Sequence, residues 1–322
     1  MPPALSIVIP SHNRPDFLRA CLASVVRHAP AEAETIVVDD GSPDQAAGRV
    51  AGSFPGVRAI RLRHRRGFCI AANAGVRATQ GSVVELLNDD TEVTAGWAGP
   101  ALAAFADPTV AAVAPLVLKW SQDRAAPWRI DSAGDRYYLG GVAGKRGHAQ
   151  WTEGSDLPAG RVFGASASSA FYRRDAVLQV GGFPENFGAY FEDVDLAFRL
   201  NHAGYRIVFE PASRVFHRVS ASHGRSGRIL LEQQSRNEER VFWRNIPDPL
   251  LGSALPRHVA VLVAKAWRRC ERGGLWPFLT GRLRAWSEAR ELVNHRRRQR
   301  HSAAQTDCSK WPLEMRFWGD AD

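Results

Sequence analysis

Three groups of carboxylates in this chain could do chemistry, and two of them sit where an apolar run stops. Asp39 and Asp40 close the run Thr35-Ile-Val-Val and are followed by Gly41-Ser42. Asn88-Asp89-Asp90 closes Ser82-Val-Val-Glu-Leu-Leu87. Glu192, Asp193 and Asp195 crowd the opening of a helical pattern, and His217 ends Ser213-Arg-Val-Phe. A carboxylate at 39 or 40 can accept from a nucleobase N–H or a ribose hydroxyl, although Asp-Gly also makes an ordinary turn. The Asn88–Asp90 run offers hard oxygen ligands for Mg²⁺ or Mn²⁺, ions that keep water and phosphate beside one or two carboxylates. Its competitor is an acidic turn or a helix cap before Thr91–Trp97. The acids at 192–195 suit a helix dipole. The aromatics near them, Phe187, Tyr190, Phe191 and Phe198, would also desolvate a carboxylate and raise its pKa toward that of a general base. A lone His such as His217 is more often structural than catalytic.

The elements that would position these groups alternate strand and helix. Leu5–Pro10, Thr35–Asp39, Val57–Leu62 and Ser82–Leu87 read as short strands, the first apolar nearly throughout, as a strand covered on both faces is, and followed by a helix with Leu18, Cys21, Leu22 and Val25 at helical spacing. That alternation predicts βαβ units and an α/β fold with a mainly parallel sheet, whose ligands bind beyond the strands' carboxyl ends. Arg161–Arg173 reads as a strand, Arg174–Val180 as a short helix, Phe191–Ala203 as a helix and Tyr205–Phe209 as a strand. From about residue 256 the pattern is helical. Residues 120–165, rich in Gly and aromatics, fit no pattern.

Composition narrows the class further. The 322 residues are 45% hydrophobic and 23% charged, with 42 Lys+Arg against 33 Asp+Glu. Residues 251–322 hold 14 basic and 7 acidic residues, leaving 28 against 26 for the first 250, so the excess of +9 lies mainly in the tail. A nucleic-acid groove through the main body is therefore not expected. No apolar run approaches the ~18–20 residues of a membrane span, and the first residues show no charged segment leading into an apolar one, so no signal peptide is expected. Four cysteines without a CxxC pair suggest neither a disulfide framework nor a zinc site, and point to a reducing cytoplasm. GxGxxG, P-loop, GxSxG and kinase signatures are missing.

Seven pieces in order carry a resemblance. They are Ser6-Ile-Val-Ile-Pro-Ser-His-Asn13, Val37-Val-Asp-Asp-Gly-Ser42, Gly67-Phe-Cys-Ile-Ala-Ala-Asn-Ala-Gly75, Leu86-Leu-Asn-Asp-Asp-Thr-Glu-Val93, Gly181-Gly-Phe-Pro-Glu-Asn-Phe187, Tyr190-Phe-Glu-Asp-Val-Asp-Leu196 with Arg199, and Val215-Phe-His217. From Leu5 to about Arg244 the chain resembles the family 2 glycosyltransferases, GT-A-fold enzymes that use nucleotide-diphosphate sugars, and within them the bacterial rhamnosyltransferase-type members. The resemblance implies a GT-A catalytic domain over residues 1–250, Rossmann-like with flanking helices, and a basic, Trp-rich helical extension over 251–322. It implies that Asp40, with Asp39, contacts the donor's base and ribose near Pro10, Ser11 and Asn13, and that Asn73 lies over the nucleotide. Asn88-Asp89-Asp90 would be the DxD-like element, with Asp90 on Mg²⁺ or Mn²⁺ and Asp89 beside the donor. Asp193 would be the general base, Glu192 a shaper of the acceptor site, and His217 a metal or pyrophosphate ligand.

The expected reaction is an inverting transfer from a nucleotide-diphosphate sugar, dTDP-rhamnose or a UDP-sugar, to a hydroxyl of a cell-surface glycan or lipid-linked saccharide. A sugar nucleotidyltransferase and a non-catalytic membrane-associated carbohydrate-binding protein are the alternatives. For the tail, two accounts stand: helices packed on the catalytic domain, or peripheral contact with the inner face of a membrane.

Overall fold

The computed structural model describes residues 4–122, 126–218, 227–303 and 307–317. Its first half alternates strands and helices: β1 (Leu5–Ser11), α1 (Pro15–His28), β2 (Glu34–Asp39), α2 (Ala46–Gly52), β3 (Val57–Arg61), α3 (Phe68–Ala78), β4 (Val83–Leu87), β5 (Thr91–Val93), α4 (Ala98–Ala104) and β6 (Val110–Lys119). Then come β7 (Ile130–Ser132), β8 (Asp135–Tyr138), β9 (Val142–Lys145), β10 (Gly160–Val162), β11 (Ser169–Arg173), α5 (Arg174–Gln179), α6 (Glu192–His202) and β12 (Arg206–His217). The tail holds α7 (Gly227–Asn245), α8 (Asp248–Glu271), α9 (Leu275–Trp286), α10 (Ala289–Ala303) and the short strand β13 (Leu313–Glu314).

One ten-stranded sheet runs β3-β2-β1-β4-β11-β6-β12-β10, with β5 and β7 added at β12 and β6. β1 to β4 pair in parallel, β6 and β12 likewise, and β11 runs antiparallel between β4 and β6. Every residue of β1 is buried, as a strand covered on both faces requires. α1 buries Leu18, Cys21, Leu22 and Val25, its one apolar stripe, against one face. α3 lies close on the other: a Cβ at Gly75 would stand 2.2 Å from Val8 Cγ1, so only glycine permits that approach.

Glu85, in the middle of β4, is fully buried, and it is satisfied. Trp97 Nε1 donates to both of its oxygens at 3.1 Å, and Ser169 Oγ donates at 3.0 Å, tying β4 to β11 and to the start of α4. Burial, outweighing those hydrogen bonds, pushes its carboxyl up to about 8.

The sequence expectation of a single strand over 161–173 is corrected. Residues 163–168 turn between β10, which pairs with β12, and β11, which crosses to β4 and β6. Conversely, β12 is longer than the expected Tyr205–Phe209 strand. It absorbs Pro211 in an irregularity between Glu210 and Arg214 and runs on to His217. Thr91 opens the short strand β5, paired with the end of β12, so the Asn88–Asp90 turn caps no helix. In the tail, β13 joins β8 and β9 in a second, three-stranded sheet.

α7 packs on α9 through Gly281, where a Cβ would meet the Glu232 carbonyl oxygen at 2.4 Å. Beside this crossing Glu239 is buried and accepts from Arg282 (2.6 Å), Trp243 (2.6 Å) and Trp286 (2.7 Å). Glu238 pairs with Arg282 and Lys265, which brings α8 into the same network. Among the described residues no helix is long and apolar enough to cross a membrane.

Candidate active site

The carboxyl ends of β1, β2 and β4 are zipped together by side chains from all three. His12 Nδ1 bonds the Asp40 carbonyl at 2.8 Å, and the backbone N–H of Asn13 donates to Ser42 Oγ at 2.9 Å. Asn13 itself sits at φ +53°, a left-handed conformation that Asn tolerates better than most residues. Pro10 pairs with Val38 in the sheet directly before this turn. Asp40 spends both oxygens on backbone, accepting from Arg66 N at 2.6 Å and Gly67 N at 2.9 Å, and so holds the loop that leads into α3. Asp39 accepts from Ser42 N with one oxygen (2.7 Å), and its buried Oδ2 has no hydrogen-bond partner. Of the two acids, Asp39 is the one with an acceptor to spare.

Asn73 is buried and its amide is engaged on both sides. Nδ2 donates to the Phe183 carbonyl at 2.9 Å while Oδ1 accepts from Phe183 N at 2.7 Å. It brackets the segment that leads toward α6.

The DxD-like turn divides its labour. Asp89 accepts from Ser11 Oγ (2.7 Å) and from Arg14 Nη1 (2.9 Å), and burial raises its pKa to about 6 against the pull of Arg14. Asp90 meets Arg14 at 3.3 Å through Oδ2, and its Oδ1 faces His217 Nε2 at 3.1 Å. Neither Oδ1 nor Nε2 has any other hydrogen-bond partner, and both are buried. On the far side of the ring, His217 Nδ1 donates to Asp131 Oδ2 at 3.1 Å, and Lys145 Nζ donates to the same oxygen at 2.8 Å. Burial opposes the imidazolium, but Asp131 and Asp90 outweigh it and lift His217 to about 9. Burial likewise disfavours the Asp131 carboxylate, yet His217 and Lys145 hold its pKa well below the usual range. A carboxylate on the second ring nitrogen is what fixes the tautomer and orientation of a metal-ligating histidine.

Asp90 Oδ1 and His217 Nε2 fit one divalent ion: adjacent ligands on an octahedral Mg²⁺ or Mn²⁺ stand about 3 Å apart. No group of three or more His, Cys, Asp or Glu gathers as a metal cage among the described residues. Two protein ligands suit an ion that also takes phosphate and water.

The acid pair at the start of α6 follows a strained approach. Tyr190 and Phe191 both have left-handed backbone, φ +71° and +67°, a conformation kept only where the surroundings enforce it. Asn237 of α7 enforces it by donating to the carbonyls of Phe187, Ala189 and Tyr190 at 2.9–3.1 Å, helped by Gln233. Glu192 is buried, its Oε2 has no partner, and burial, with Asp193 beside it, raises it to about 8. Asp193, half-buried, accepts from Ala167 N (3.0 Å) and Val194 N (2.8 Å). Burial raises its pKa, and those N–H groups work against the rise. Asp195 belongs to the core, bonded to Arg199, Arg244 and Asn245.

The metal-like pair and the acid pair share one site. Ala167 N–H holds Asp193, while the adjoining Ser168 carbonyl accepts from Asn88 N (3.0 Å) and Thr91 Oγ1 (3.1 Å). Lys145 lies on the same line, bonded to Asp131 and attracting Asp193. Buried Asp135, its carboxyl raised by burial and then by Asp193, completes the group. Sequence reasoning missed Arg14, Asp131, Asp135, Lys145, Gln233 and Asn237. None lies in a recognisable pattern, and only the fold brings them together.

A doubly flanked, mostly parallel sheet with acidic residues at its strand ends is the architecture of the GT-A fold. Residues 6–181, over half of the chain, match the profile of Glycosyl transferase family 2, and the chain belongs to that family. The chain is 31% identical over 215 residues to the pre-mycofactocin glycosyltransferase of Mycobacterium tuberculosis, covering 66% of this chain and 42% of that protein. It is 28% identical over 250 residues to the same organism's N-acetylglucosaminyl-diphospho-decaprenol L-rhamnosyltransferase, covering 70% of this chain and 79% of the other. A Sinorhizobium fredii protein, y4gI, matches at 32% identity over 82% of this chain but only 31% of its own length. The chain thus spans well under half of two of these relatives. Among solved structures, GalNAc-T7 with UDP, GalNAc and Mn²⁺ superposes with a TM-score of 0.60 at 18% identity, over 97% of this chain and 58% of that one. The Pyrobaculum calidifontis mannosyltransferase PcManGT with GDP-Man and Mn²⁺ gives 0.54 at 20%, over 96% and 88%. Membership of that family favours sugar transfer over the nucleotidyl transfer the sequence also allowed.

Proposed function

We propose that this glycosyltransferase moves a sugar from a nucleoside-diphosphate donor to a hydroxyl acceptor with inversion, within a catalytic unit spanning residues 1–250. The observation that carries this reading is the Ala167–Ser168 link: Ala167 N–H holds the Asp193 carboxylate while the next residue's carbonyl holds the turn that bears Asp90, the partner of His217. An inverting displacement needs a base on one side of the anomeric carbon and charge neutralisation on the other. Asp193 takes the proton of the acceptor hydroxyl as its oxygen bonds the anomeric carbon and the bond to the diphosphate breaks. Asp39 Oδ2 accepts from the donor's base or ribose beside Pro10, Ser11 and Asn13, and Asp40 and Asn73 hold the loops around it. Glu192 shapes the acceptor side. Asp90 and His217 would hold Mg²⁺ or Mn²⁺, which would supply Lewis-acid stabilisation of the departing diphosphate. Asp131 and Lys145 keep the imidazole in place.

The rhamnosyltransferase relative makes dTDP-rhamnose the first donor to test and UDP-sugars the next. Its polyprenyl-linked substrate favours a lipid-linked saccharide acceptor, reached by peripheral contact of residues 251–322 with the membrane. The test is thermal stability against UDP, dTDP, GDP and CDP, alone and as their sugars, with and without Mn²⁺. Ligand at 100 times its Kd stabilises by about 2.7 kcal/mol. One nucleotide raising the melting temperature only with Mn²⁺ is the expected result; a flat panel, sugars included, refutes the reading.

A further inference from the structure

The tail's longest helix is anchored by a narrow seam. Of the 24 residues of α8 only Ala254 and His258 are buried. His258 stacks on Phe242 at 3.7 Å between ring centroids, and Lys265 pairs with Glu238. Turned away from this seam, Leu255, Val259, Val263 and Trp267 recur every fourth residue, exposed by 36%, 57%, 66% and 70%. At 100° per residue the centre of that row lies about 140° round the helix from that of Ala254, His258 and Lys265. α9 adds Trp276, Leu283 and Trp286, each more than half exposed. A helix apolar on both its packed and its solvent side is made to be covered twice.

The charge around the row says by what. From Leu255 to Arg272 the chain carries Arg257, Lys265, Arg268, Arg269 and Arg272 against Glu271 alone. We propose that this face of α8, with the neighbouring tryptophans of α9, is a seat on an anionic lipid surface: the aliphatic and indole groups enter the acyl boundary while the arginines meet lipid phosphates. A second copy of the chain fits less well, because a twofold contact through this patch would set the same positive charges against each other. The proposal rests on the membrane contact inferred above and fixes its face, but it needs no particular donor. It also has a mechanical sense. α7 grips α8 and α9 through Glu238 and Glu239 and, through Gln233 and Asn237, holds the backbone leading to Asp193. The seated helices and the acceptor end of the site hang on one element.

The experiment is flotation of the full chain with vesicles of phosphatidylcholine, with and without phosphatidylglycerol, at low and high salt. The wild type is expected to float with phosphatidylglycerol vesicles at low salt and to be released by high salt. Val263→Ser with Trp267→Ser, both solvent-facing, is expected to weaken partitioning about tenfold or more without moving the melting temperature. Trp276→Ser serves as an independent variant should the pair fail to fold. The proposal falls if the wild type ignores anionic vesicles, if neither variant changes partitioning, or if light scattering finds a dimer that the variants dissociate. Nucleotide-induced stabilisation, read on the same samples, separates this failure from a failure of the sugar-transfer reading.

Discussion

Replacing Asp193 by Asn separates the base from every other role its neighbourhood could play. The side chain keeps its shape and one acceptor oxygen, but its second oxygen, which takes an N–H from Ala167 or Val194, becomes an NH₂. One backbone N–H then faces a donor, a cost of about 1–3 kcal/mol. Removing a charge that burial already disfavours offsets part of it. The net fall in melting temperature is therefore a few degrees at most. Catalysis loses far more, because an amide cannot accept the acceptor's proton: about 10²–10⁴ in kcat, or roughly 3–5 kcal/mol of barrier. The Asp39 and Asp90 ends are untouched, so calorimetry should give wild-type affinity for the nucleotide with Mn²⁺. The assay is nucleoside diphosphate release in the presence of acceptor, on protein whose melting curve and nucleotide affinity are first matched to wild type. Turnover within a few fold of wild type refutes Asp193 as the base, and lost nucleotide affinity would show that the acid pair belongs to the donor side instead.

Further outcomes follow from the same geometry. Asp90→Ala should abolish the metal-dependent part of nucleotide binding; binding that still responds to Mn²⁺ would remove Asp90 from the metal. Because a metal on His217 Nε2 must displace a proton held up to about 9, Mn²⁺ affinity should climb about tenfold per pH unit between pH 7 and 9, and a flat calorimetric profile would contradict that site. Glu85, raised to about 8 in the fold from about 4.3 in an unfolded chain, contributes stability that is complete below pH 4 and lost as pH rises through 8. Glu85→Gln should flatten that fall, by as much as about 5 kcal/mol in the limit, in denaturation curves taken from pH 4 to 9. Gly281→Val should cost about 1–3 kcal/mol or more through overpacking at the α7–α9 crossing; an unchanged melting temperature would show that the helices part freely.

The strands that could be read from sequence were those whose burial leaves a mark on composition. β1, β2 and β4 are apolar nearly throughout because helices cover both their faces, and the acidic ends of β2 and β4 stood out against that background. The aromatic surround of Glu192 likewise announced the raised carboxyl that burial produces. Elsewhere the signal was local and the cause was not. Gly164-Ala-Ser-Ala-Ser168 suits strand or turn equally, and only the crossing of β11 to β4 makes it a turn. Pro211 looks like a strand break, yet an irregularity in β12 carries the strand past it to His217. Asp131 stands in Ile130-Asp-Ser132 with nothing to mark it; its importance comes from a histidine 86 positions away. In the tail, the periodicity of α8 named an apolar stripe but could not say that so little of the helix is buried.

Asn73 completes two hydrogen bonds to the backbone N–H and C=O of one residue, Phe183, as a neighbouring strand would, one side chain substituting for a missing backbone partner. Aspartate cannot donate there, and alanine offers neither bond. A mutational survey scored only by product formed would thus rank position 73 with the donor contacts, and an effort to widen donor choice by diversifying it would mostly recover misfolded loops. Donor choice is better sought around groups like Asp39 Oδ2, an acceptor that the fold itself does not use.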